Sequence, residues 1–75
     1  MRQELIEIKP DVANGKPVVK GTRITVQSVL ELLAAGDGID EVLKAYPSIT
    51  REHVLACVEM AARIMGNRFS ALPLA

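Results

Sequence analysis

Seventy-five residues with nine Lys and Arg balanced against nine Asp and Glu make one small domain without the cationic surplus of a strongly charged nucleic-acid binder. An apolar share of 49% is too high for a disordered chain, and charges spread along it leave no run long enough to span a membrane. One cysteine and one histidine exclude an internal disulfide and a four-ligand zinc site within one chain, so a chain of this size, burying about 60% of its unfolded surface, is expected to gain stability by oligomerising.

The N-terminus, Met-Arg-Gln-Glu-Leu-Ile-Glu, is interrupted by acids and has no signal-peptide pattern, so a cytoplasmic location is expected. Leu5-Ile6-Glu7-Ile8 and Val18-Val19 are short β-branched runs separated by Asn14-Gly15-Lys16-Pro17. Asn and Gly tolerate the positive φ of tight turns, and Pro17 lacks a ladder donor, so residues 1–24 are expected to form a β-hairpin arm whose second strand starts near Pro17. Val18, Val19 and Ile24 are expected to fill a core shared by two chains.

From Thr25 the apolar period becomes helical. Thr25 is the expected N-cap of a first helix whose Val26, Val29, Leu30 and Leu33 share one face, with Gly36 as its stop. Asp37 is the expected cap of a second helix carrying Ile39, Val42, Leu43 and Tyr46, ended by Pro47. Thr50 caps a third, with Val54, Leu55, Val58, Ala61, Ala62 and Met65 as its expected buried face and Gly66 at its end. Glu59 and Arg63 form an i, i+4 pair on its expected solvated face. The last nine residues, 67–75, have no period and are expected to be a flexible tail, with Arg68-Phe69-Ser70-Ala71-Leu72-Pro73-Leu74 as a candidate docking segment. The fold class is thus mainly α: a three-helix, helix-turn-helix or homeodomain-like bundle over residues 25–66 behind the β arm.

Catalysis is not expected. His53 and Cys57 stand four apart on one helix face but lack a third orienting group, and the commoner role of such a Cys is that of a small buried hydrophobe. The glycines around residues 15–21 have neither phosphate-loop nor dinucleotide spacing, so no cofactor is expected. Two aromatic residues give little for stacking single-stranded RNA.

The second and third helices have a spacing similar to a helix-turn-helix, with Ala45 small at the crossing and Ile49 where glycine is usual in the turn. In that arrangement the start of the third helix meets double-stranded DNA. Thr50 and Arg51 are the candidate base-edge contacts, Arg51 through a bidentate pair with guanine. Lys16, Lys20 and Arg23, the cations of an acid-free stretch from Val12 to Leu30, are the candidate phosphate contacts. The competing reading makes Arg51 an ordinary solvated first-turn residue and the whole chain a protein-binding module that leaves DNA alone, which the acidic middle helix favours.

The string Asn14-Gly15-Lys16-Pro17-Val18-Val19-Lys20-Gly21-Thr22-Arg23-Ile24-Thr25-Val26 closely resembles the signature of a prokaryotic family, domain of unknown function 433. Leu32-Leu33-Ala34-Ala35-Gly36, Ile39-Asp40-Glu41-Val42-Leu43 and Tyr46-Pro47-Ser48-Ile49-Thr50 extend the resemblance over roughly residues 5 to 62. It implies a homeodomain-like, dimeric antitoxin of the VapB type, which binds a PIN-like nuclease partner and represses its own operon. The signature residues are Gly15, Lys16, Pro17, Gly21, Thr22, Arg23, Gly36 and Pro47. Gly and Pro there are read as backbone devices, while Arg23 stands equally for a phosphate ligand or a tie to a carboxylate.

Overall fold

The computed structural model describes residues 2–67. It is mainly helical: a two-stranded antiparallel hairpin, β1 (Ile6–Glu7) and β2 (Val18–Val19), precedes α1 (Val26–Ala34), α2 (Ile39–Ala45) and α3 (Arg51–Met65). A short 3-10 turn, Arg2–Leu5, leads into β1 and packs on α3. Apart from Asn67, the expected tail and its docking segment lie outside the described residues.

The hairpin is built differently from a tight Asn-Gly turn. Its strands pair Ile6 with Val19 and Glu7 with Val18, and the connection reverses through Ala13, Asn14 and Gly15, at φ 50°, 57° and 80°. Gly15 N–H donates to Val12 O at 2.9 Å and Lys16 N–H to Ala13 O at 3.1 Å, closing a left-handed turn. Gly15 tolerates that conformation freely; Ala13 holds it at a steric cost. Beyond β2 the chain folds back at once: Val19 N–H donates to Ile24 O (2.9 Å), and Val18 bridges Thr25. Thr22 makes this second turn, its Oγ1 donating to Val19 O (2.8 Å) and accepting from Ile24 N–H (3.0 Å), while Gly21 supplies φ 79°.

Each helix starts and stops for a local reason. Thr25 Oγ1 accepts from Ser28 N–H at 3.0 Å, capping α1. Gly36, at φ 103°, ends it in a Schellman arrangement, with Gly36 N–H donating to Leu33 O and Asp37 N–H to Leu32 O. The cap of α2 is Gly38 rather than Asp37; Glu41 Oε1 reaches back to accept Gly38 N–H at 2.7 Å, doing the capping from inside the helix.

Val18, Val19, Val29, Val42, Val54 and Cys57 are the largest side chains buried outright, so the interior is mostly valine. Ile6, Ile24, Leu30, Leu32, Leu33, Leu43, Tyr46 and Met60 pack around it half-buried. The shared-core expectation therefore changes place. Val18 and Val19 are 0% exposed within one chain and so have no face to offer a second copy, while Ile24 packs on the same core and stays half-buried. Ala45, expected at the crossing of α2 and α3, is exposed; Val42 and Ile49 lie inside instead.

Candidate functional site

The surface of α3 holds most of the chain's unexplained chemistry. Ten of its fifteen residues are apolar, which is more than one buried face can use. The structure turns Val54, Ala56 and Cys57 inward. Val58, Ala62 and Met65, which the sequence pattern assigns to the core, point outward, with Val58 42% and Met65 70% exposed. With half-buried Leu55 they recur at helical spacing, so α3 is apolar on two sides, of which the described residues cover one.

Beside this ridge a groove of about 520 Å³ runs between α1 and the last turns of α3. Val26, Leu30 and Ala34 form one wall, and Met60, Ile64 and Met65 the other. Lys16, Gln27 and Glu31 edge it, linked by Lys16 Nζ donating to Gln27 Oε1 (3.5 Å) and Gln27 Nε2 donating to Glu31 Oε2 (3.2 Å).

At the other end of α3, His53 Nδ1 accepts Thr50 N–H at 2.9 Å, so the ring acts as the inward-reaching half of a capping box and carries its hydrogen on Nε2. The Cys57 thiol is fully buried, and burial pushes it up to about 11, so it stays protonated at neutral pH. Neither member of that pair is placed as a nucleophile or its base. Among the described residues no cluster of His, Cys, Asp and Glu is arranged to hold a metal ion.

Arg2 supplies a feature the sequence pattern gives no sign of. Its guanidinium pairs with Glu52 and with Glu59 (2.7 Å), and its backbone N–H donates to Glu59 Oε1 at 3.3 Å. The hydrogen bond to Glu52, opposed by a smaller desolvation, raises Arg2 above the ordinary arginine range. Glu59, expected to pair with Arg63 on a solvated face, is thus engaged by the chain's N-terminal turn.

The candidate DNA contacts are exposed. Thr50 and Arg51 lie at the start of α3, and Lys20 and Arg23 in the turn after β2. Lys16 borders the last turns of α3, and that helix is about 21 Å long, so Lys16 and Arg51 do not form one patch. Arg23 has no hydrogen-bond or ion-pair partner among the described residues, so the tie to a carboxylate is not made among them. No helix among the described residues is long and apolar enough to cross a membrane.

The chain is 36% identical to the uncharacterized protein y4eO of Sinorhizobium fredii (strain NBRC 101917 / NGR234), over 95% of this chain and 34% of that protein. It superposes with a TM-score of 0.77, at 30% identity, on the crystal structure of a DUF433 member protein from Anabaena variabilis ATCC 29413, covering 81% of this chain and 60% of that one. The chain thus spans about a third of the length of its rhizobial relative and under two thirds of the cyanobacterial one. A family model described as "Protein of unknown function (DUF433)" matches residues 6–61, a span that takes in the Gly21–Thr22 turn, the Schellman stop at Gly36 and the covered face of α3. The chain belongs to the DUF433 family.

Proposed function

We propose that the chain is an antitoxin-like protein that acts by holding a partner, a PIN-type nuclease, against the outer ridge and groove of α3, with no chemistry of its own. The observation carrying this reading is the second apolar face of α3. Ridge residues at three- and four-residue spacing beside an apolar groove suit a helix-in-groove contact, in which an amphipathic partner helix lays its apolar side down. Exposed apolar surface of this kind marks interaction sites in small proteins.

Met65 is the residue to change, because its exposure means a charge there leaves the fold intact. Met65→Glu should weaken the complex with a PIN-type nuclease encoded in the same operon by roughly tenfold to a hundredfold, the equivalent of losing one buried side chain of about 1.5–3 kcal/mol. Titration calorimetry on the purified pair reads this directly. No complex at micromolar concentration, or one indifferent to Met65→Glu, removes the reading.

A second reading, operator binding by paired chains, draws on the exposure of Thr50 and Arg51 at the start of α3 and of Lys20 and Arg23 after β2. Here the expected result is a gel shift on the protein's own upstream DNA whose log K falls against log salt with a slope near −7, for about eight neutralised phosphates. Binding absent even at low salt leaves the protein-binding reading alone.

A further inference from the structure

β1 has an open edge, and its geometry selects what fits there. Among the described residues β1 pairs only with β2. Lys20 N–H donates to Leu5 O at 2.8 Å, which makes Leu5–Lys20 a hydrogen-bonded pair and Ile6–Val19 the alternate, non-bonded one. Val19 agrees, since its N–H turns away from β1 to Ile24 O. The N–H and C=O of Ile6 therefore point away from β2; Ile8 is the first residue past β1, and continuing the two-residue period of the strand through it directs its N–H and C=O to the same open side. Ile8 is a 60% exposed β-branched residue at that edge. It borders a groove of about 250 Å³, with Ile6, Ala56 and Met60 among its lining residues.

The geometry points to a second copy of this chain, added antiparallel to β1 about a two-fold axis at Ile8, as the occupant of this edge. Three features converge on that register. Ile8 of each chain presents one outward donor and one outward acceptor, so the two residues exchange both bonds. Their side chains then lie on the face of Ile6, over a groove in which Ile6, Ala56 and Met60 are joined by Glu59 and Arg63.

Charge decides against the neighbouring register. Centring on Ile8 sets Glu7 of each chain opposite Lys9 of the other, whereas centring on Glu7 sets two carboxylates face to face. Glu7 and Lys9 already stand 3.8 Å apart within one chain, so pairing makes a ring of four alternating charges. Pro10 has no N–H and ends the new ladder, keeping it short. Met60 lines both this groove and the one beside the α3 ridge, but the pairing bonds are made by the backbone at Ile8, so the inference does not depend on the partner reading above.

The test uses the chain by itself, with sedimentation equilibrium from micromolar to millimolar concentration. The wild type is expected to dimerise. Lys9→Glu replaces two attractions with two repulsions and should raise the dissociation constant about tenfold or more. Glu7→Lys should do the same, and an equimolar mixture of the two variants should pair, because two carboxylates on one chain then face two ammonium groups on the other. Glu7 Oε2 also accepts Gly21 N–H, at 3.0 Å, so Ile8→Pro provides a second route. It removes the outward donor and the apolar side chain without touching a β1–β2 bond, and should leave a folded monomer by circular dichroism. A wild type that is monomeric throughout, or a dimer unchanged by both Lys9→Glu and Ile8→Pro, overturns the inference.

Discussion

Val19→Asp is expected to leave the chain unfolded at neutral pH. Val19 is wholly buried, pairs with Ile6 across the hairpin, and packs in a cluster with Val26, Val29, Val42, Ile49, Val54 and Cys57 that contains no charged or polar side chain. The substitution loses about 1.5–3 kcal/mol of apolar burial, and a carboxylate left without a partner adds several kcal/mol more. At about 0.05–0.15 kcal/mol per residue, a chain of this length has roughly 4–11 kcal/mol in all. Far-UV circular dichroism with a urea titration decides the matter. A cooperative transition from a folded baseline would show that the arm is dispensable to the helices.

Ile49→Gly, which installs the residue usual in a helix-turn-helix turn, should destabilise this protein by about 4 kcal/mol. The turn from Tyr46 to Thr50 is made by Pro47 and by Ile49 N–H donating to Tyr46 O at 3.2 Å, and it drives the Ile49 side chain inward until 4% remains exposed. Emptying a site of that size costs about 2–5 kcal/mol, and the added backbone freedom of glycine about 0.5–1 kcal/mol more. In a domain this small, each kcal/mol lowers Tm by about 4–8 °C, so the melting temperature should fall by more than roughly 15 °C. A fall of only a few degrees would mean that the turn, rather than the side chain, holds α2 to α3.

The three helices were legible because their punctuation is local. Thr25 and Thr50 at the starts, Gly36 and Pro47 at the stops, and the spacing of Val26, Val29 and Val42 act within one turn of where they stand. The buried face of α3 was not legible, since apolar residues on both sides of that helix satisfy the helical period equally well; only packing chose Cys57 over Val58. The Arg2 clamp lies beyond any such pattern, because its carboxylates are 50 and 57 residues away. Asn14-Gly15 signalled a reversal correctly but not its size. A left-handed turn beginning at Ala13 lengthened the connection and left strands of two residues each. The candidate DNA contacts were legible as a charge pattern but not as one patch, because Lys16 borders the groove at the last turns of α3 while Arg51 stands at its start.

The valine interior has a mechanical corollary. Each of its five wholly buried valines turns about one side-chain bond, and Cβ branching settles that bond almost entirely from the backbone. Little rotational freedom is surrendered when the centre closes, and it has no second way to interlock. Any volume change there must be taken up by the surrounding collar of Leu30, Leu32, Leu33, Leu43 and Met60, whose longer side chains still have bonds to turn.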